Sequence, residues 1–104
     1  MSMARVIARW VDDSLESPFA VDLTIENGMV SGPSLAFGCI DYDGTRRPFV
    51  LDETGRVDFG GGFFWICDLR QAIMRVGVTF RMDFGQGDEG IYKIVKIAMP
   101  GSKA

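Results

Sequence analysis

Apolar and polar residues alternate one by one along most of this chain. Phe19, Val21, Leu23 and Ile25 alternate with Ala20, Asp22 and Thr24, the period of a strand with one wet face. Val78, Phe80, Met82 and Phe84 alternate with Thr79, Arg81 and Asp83, and Val6, Ala8 and Trp10 with Arg5, Ile7 and Arg9. Further strands are expected over residues 35–42, 49–52, 63–67 and 91–99. The turn signals Asn27-Gly28, Asp43-Gly44, Thr54-Gly55 and Gly85-Gln86-Gly87 separate these runs. Their spacing, roughly 8–12 residues, predicts a sandwich or a closed barrel. Pro48 has no amide to donate and belongs at a strand start or on an edge.

One segment departs from this period. Leu69, Ala72, Ile73 and Val76 fall at i, i+3, i+4 and i+7, one face of a helix. Asp68 stands as N-cap, Gln71 three residues later resembles a capping box, and Gly77 suits the position after the last turn. A helix over residues 69–76 is too short to stand alone, so it is expected to plug an apolar opening. The reading is a mostly β single domain, 1–104, with an N-terminal hairpin extension (1–34), a barrel core (35–99) and a tail (100–104). No internal repeat is apparent.

Composition narrows the chemistry. The 104 residues are 47% hydrophobic, enough for one core of a soluble domain. There is no histidine, which removes every Ser-His-Asp or Cys-His arrangement and the commonest metal ligand. Cys39 and Cys67 form no C-x-x-C pair, so no metal site and no cofactor are expected. Both lie in apolar runs, where Cys acts as a small hydrophobe; a Cys39–Cys67 disulfide would require neighbouring strands and an oxidising compartment. The longest apolar run, 60–67, is far short of a membrane span. The N-terminus lacks the apolar stretch of a signal peptide, which points to the cytoplasm. Residues 1–34 carry the whole net charge of −3, and residues 35–104 balance to zero. No Lys/Arg cluster advertises duplex DNA or a membrane surface.

Several motifs have plain structural readings. Residues 85–90 match G-x-G-x-x-G, but a β-rich run follows, and Asp88 and Glu89 would repel a pyrophosphate. They read as a hairpin loop. Asp41-Tyr42-Asp43-Gly44 fails the calcium-loop frame, which would put Arg46 at the glycine position. The acidic pairs Asp12/Asp13, Asp52/Glu53 and Asp88/Glu89 sit at turns as solvated charges. Gly60-Gly61-Gly62 marks a sharp bend or the close approach of another backbone, before Phe63-Phe64-Trp65-Ile66. Phe63 and Trp65 share one face of that strand, and Phe64 and Ile66 the other. Exposed aromatics on a sheet are a stacking platform for single-stranded nucleic acid; buried ones fill a core. Core filling is expected for at least half of them.

From Gly38 to Ile97 the order of elements resembles a cold-shock-type OB-fold: strand, turn, strand at 47–52, glycine-rich link, strand at 63–67, short helix and closing hairpin. The family's first RNA-binding motif falls on Arg46-Arg47-Pro48-Phe49-Val50-Leu51 and its second on Phe63-Phe64-Trp65-Ile66. The first keeps only the basic residues and Phe49, and the second has no histidine. The architecture implied is a small antiparallel barrel, OB-like or SH3-like. The function implied is single-stranded nucleic-acid binding, with Phe49, Phe64 or Trp65 stacking on bases and Arg46, Arg47, Lys93 and Lys96 meeting phosphates. The residues themselves leave two alternatives open. One is a protein-interaction, assembly or homo-oligomer module; the other is small-ligand binding or an enzymatic activity at the barrel mouth. No catalytic residue is named.

Overall fold

The computed structural model describes residues 2–12, 18–31, 35–42 and 44–99. Nine strands form in chain order: β1 Ser2–Trp10, β2 Phe19–Glu26, β3 Met29–Val30, β4 Ala36–Tyr42, β5 Thr45–Leu51, β6 Arg56–Gly60, β7 Phe63–Cys67, β8 Thr79–Gly85 and β9 Asp88–Ala98. Apart from β3, each strand pairs antiparallel with its sequence neighbour, and β1 pairs with both β2 and β9. The result is a closed eight-stranded up-and-down barrel, with β3 added to the outer edge of β2. Closure removes the free edges that an open sheet must protect. The N-terminal segment, expected as an extension, supplies two staves of the wall. The order is sequential throughout, whereas an OB-fold is a five-stranded Greek key.

The alternation read from sequence sets which residues face in. Ala4, Val6 and Ala8 of β1, Phe19, Val21, Leu23 and Ile25 of β2, Phe49 and Leu51 of β5, and Trp65 and Cys67 of β7 are all buried. An eight-stranded barrel is just wide enough for side chains to fill, and here rings do much of the filling. Phe80 and Tyr92 stack at 5.6 Å between centroids, Phe19 and Phe49 at 5.0 Å, and Phe59 and Trp65 meet edge-on at 4.9 Å. β4 makes room for them. A Cβ at its inward Gly38 would lie 2.2 Å from the Ala20 carbonyl oxygen and 2.6 Å from Cζ of Phe49.

The segment expected as a helix is one 3-10 turn, Leu69–Gln71. The Asp68 carboxylate does not cap it, because it accepts the Arg81 amide of β8 at 2.7 Å. Beyond the turn the chain is drawn into extended contact with the β2–β3 turn: the Met74 amide donates to the Gly28 carbonyl at 2.7 Å and Ile73 bridges Met29. Leu69 and Met74 are buried, while Ile73 and Val76 of the expected apolar face are exposed. The segment nevertheless covers one end of the barrel. Arg70 ties it down, donating from Nε to the Asp52 carbonyl at 2.7 Å and from Nη2 to that of Leu51 at 3.2 Å.

Candidate functional site

The wall is sewn unevenly. β1 and β2 form seven register pairs and β4 and β5 form seven, but β5 and β6 form two (Val50–Asp58, Leu51–Val57) and β7 and β8 form two (Ile66–Asp83, Cys67–Met82). Both ladders stop at the same three-residue device. Asp58-Phe59-Gly60 and Asp83-Phe84-Gly85 each carry a register shift. In each, the Asp Oδ1 accepts the amide of the Gly two residues on, at 2.8 Å. The glycines have φ of +90° and +93°, which favours Gly over any residue with a Cβ. In each, the Phe turns its ring onto Trp65, at 4.9 Å and 75° for Phe59 and 4.7 Å and 85° for Phe84. The tip of the β6–β7 hairpin is therefore paired within itself, with a short-laddered seam on either side.

At the β5–β6 seam two amides are missing from the ladder. The Asp52 amide donates to the Arg56 carbonyl, so the even-numbered residues of β5 point their backbone groups at β6. The next such residue with a chance to extend the ladder is Pro48, which has no N–H. Its reciprocal donor, the Gly60 amide, is already bound to Asp58. Sequence placed Pro48 at a strand start or edge; it lies inside β5, at the point where the pairing to β6 gives out.

Along this seam runs an open cleft of about 580 Å³, lined by Leu35, Phe37, Pro48, Phe49, Val50, Asp52, Asp58, Phe59 and Gly60. Phe37, 64% exposed, forms one bank and also borders a second outer cleft of about 370 Å³ beside Met3, Thr24, Val30, Ser31 and Arg70. Among the described residues, the lining of the larger cleft contains two carboxylates and no cation. The Thr54 hydroxyl and the amides of Thr54 and Arg56 all donate to Asp52 Oδ1. The hydroxyl bond is the largest cause of an Asp52 pKa below the ordinary carboxylate range. Across the wall Arg5 holds Asp22 through Nε at 2.7 Å and Nη2 at 3.0 Å.

The residues singled out by sequence do not form one surface. Phe49 and Trp65 are 3% and 5% exposed and belong to the ring-filled interior, which corrects the expectation that a base stacks on them. Phe64 faces out, 39% exposed, with the Arg56 guanidinium 4.3 Å from its ring centroid. Arg46 is exposed and paired with Asp41 at 3.4 Å. Arg47 shares the inward register of Phe49 and is half-buried. Lys93 and Lys96 lie on β9, far round the barrel in strand order. An odd spacing would put them on opposite faces, but a register shift at β1 residues 7/8 leaves Val95 without a partner. Lys93 then faces Arg9 and Lys96 faces Ile7, all on the outside.

Other expectations resolve plainly. Cys39 faces out from β4 and Cys67 is buried on β7, with two strands between them, and both are free thiols. Of residues 85–90, expected as a hairpin loop, only Gln86-Gly87 form the turn, with Gly85 ending β8 and Asp88, Glu89 and Gly90 opening β9. Glu89 pairs with Arg81 at 2.8 Å. Asp13, Asp43, the Tyr42 side chain and the tail 100–104 lie outside the described residues. Among the described residues no group of three or more His, Cys, Asp or Glu side chains is placed to hold a metal, and no helix is long and apolar enough to cross a membrane. Sequence reasoning passed over Leu35 and Phe37; the signal was that outward positions 37 and 39 of a wall strand are both apolar. The chain matches no family model, no curated protein and no solved structure.

Proposed function

We propose that this small β-barrel is a binding module that recognises another polypeptide through the outer wall around Phe37. The observation that carries the reading is the exposed Phe37–Leu35 bank beside the seam cleft. Two large apolar side chains stand side by side at 64% and 57% exposure, Phe37 being the most exposed large hydrophobic among the described residues, and contiguous exposed apolar surface is the mark of an interaction site. Selection from a displayed random-peptide library tests it. Peptides taken up by the wild type should bind Phe37→Ser at least about tenfold more weakly, the loss of one buried aromatic anchor. Undiminished binding to Phe37→Ser, or no selected binder, overturns the reading. Phe37→Ser should keep its unfolding midpoint, since the ring is outside the core.

A second reading, single-stranded nucleic-acid binding, draws support from the outward Arg9, Lys93 and Lys96 on β1 and β9. It has lost Phe49 and Trp65 as stacking partners. Titration with an oligothymidylate at low salt should then give binding that falls with added salt and is lost in Lys93→Glu/Lys96→Glu, indifferent to Phe37.

A further inference from the structure

The seam that separates β5 from β6 is an unfinished ladder beside apolar side chains. Val50 and Asp58 close the last pair, and above them Pro48 has no N–H to donate, while the Gly60 amide is turned into its own Asp58 cap. The half-buried Phe59 borders it, in edge contact at 5.9 Å with the buried ring of Phe49. At the lower end and on the β6 side stand the carboxylates of Asp52, which also feels the charge of Arg56, and Asp58. Peptide recognition by strand addition needs these features: backbone groups to pair with, and pockets for alternate side chains. An open edge is an aggregation liability, and Pro48 limits it. It offers an acceptor only, so a guest must bring its own N–H, and a copy of the proline strand cannot propagate the pairing.

We infer that the β5–β6 seam takes an extended segment of a partner polypeptide as an added strand, with an apolar side chain against the exposed Phe37 and half-buried Phe59 and a flanking Lys or Arg toward Asp52 and Asp58. This rests on the polypeptide-binding reading above and names its mode and its ligand chemistry. The hairpin tip of β6–β7 can yield to such a guest, since its ladders to β5 and β8 are two pairs each.

The probe is a fluorescein-labelled peptide, acetyl-Lys-Val-Thr-Val-Thr-Val-Lys-amide, read by fluorescence anisotropy against the full chain. Companions replace both Lys by Glu, or carry N-methyl groups on one or the other alternate set of amides. Binding by the Lys peptide, at least about tenfold loss on methylating one set, and about threefold loss in Asp58→Asn are expected. Asn retains the oxygen that caps Gly60 and removes only the charge. Backbone ¹⁵N shifts should move at Arg46, Val50 and Gly60. If the Lys peptide binds and Phe37→Ser weakens it, but neither methylated set does, strand addition is overturned while polypeptide recognition stands. If the Glu peptide binds as well as the Lys peptide, the charge assignment is overturned. If no peptide binds and Phe37→Ser dissolves a dimer seen by light scattering, the seam inference falls and the occupant of the wall is a second copy.

Discussion

Substituting Gly38 by alanine tests the closest approach in the barrel. A Cβ there would sit 2.2 Å from the Ala20 carbonyl oxygen and 2.6 and 2.9 Å from Cζ and Cε1 of Phe49, where ordinary contact is about 3.4–4 Å. The ring can rotate or slide. The carbonyl cannot, because β2 is bonded to β4 on one side and to β1 through seven pairs on the other. Relief needs more than about 1 Å of backbone movement, so the cost belongs at the upper end of overpacking, about 3 kcal/mol. Loss of unfolded-state freedom offsets roughly 0.5 kcal/mol of this. The net, about 2.5 kcal/mol, lowers the melting temperature by roughly 10–20 °C in a domain of this size. Urea unfolding followed by circular dichroism and tryptophan emission measures it, and a second variant separates the two contacts. In a Phe49→Leu background the Gly38→Ala penalty should shrink but stay above about 1 kcal/mol, because the Ala20 contact remains. Gly90→Ala provides the contrast. Its Cβ would meet only side chains, Phe84 and Trp10 at 2.8 Å, and should cost less. A neutral Gly38→Ala, or a penalty that vanishes with Phe49, would refute the packing of β4 against β2.

Further outcomes follow from the same structure. Leu69→Ala, at a fully buried side chain in the segment that covers the barrel end, should lose about 2–4 kcal/mol in the same urea titration. Burial pushes the Cys67 thiol up to about 11, so a disulfide-exchange reagent at pH 8 should titrate Cys39 quickly in the native protein and Cys67 only after unfolding. Asp22, held by the Arg5 hydrogen bond, and Asp52, held by Thr54, have pKa values below the usual range. As pH falls below about 4, the unfolded chain takes up these protons before the folded one does. Stability is therefore full above that range and drops through it, and a melting series from pH 6 to 2 should show an acid limb that Asp22→Asn and Asp52→Asn flatten. In native hydrogen exchange, amides of the β6–β7 tip, residues 59–64, should exchange much faster than those of β1 and β2. Equal protection would mean that the seams are closed.

Much of the wall was legible because burial on one face forces period two. The alternating runs at 5–10, 19–25 and 78–84 became strands with the expected side inward, residues 63–67 became a strand whose two faces the sequence left open, and Asn27-Gly28 and Gln86-Gly87 became hairpin connections. β6 was missed. Its Arg56-Val57-Asp58-Phe59 alternates correctly, but it is four residues held between Gly55 and Gly60 and reads as loop. The helix expected at 69–76 is shortened to one 3-10 turn, Leu69–Gln71, because its cap and its later amides have better partners elsewhere, Arg81 and Gly28. Local propensity cannot see contacts between residues so far apart in sequence. The site was harder still. A ring-rich strand such as Phe63-Phe64-Trp65 looks the same whether it faces water or core, and only the ring of neighbours around Trp65 decides it. The recurrence of Asp-Phe-Gly at 58–60 and 83–85 was in plain view, yet three residues do not register as a repeat until the structure shows both making the same bulge.

That recurrence ties the interior to the outer wall. In each copy the carboxylate takes up a glycine amide, and the phenylalanine, inward by the alternation of its strand, meets Trp65. The same six residues therefore contribute to the core and stand where the ladders to β5 and β8 stop at two pairs each. If the bulges served packing alone, the strands beyond them could still pair, as a bulge commonly lets a ladder resume after one residue. At β5–β6 they do not, because Pro48 stands where the ladder would resume and the glycine amide is already engaged. Two features distant in sequence thus hold open one seam, beside the half-buried Phe59 and the exposed Phe37. Core stability and an accessible strand edge, which closure of a barrel normally sets against each other, are here produced by one local geometry.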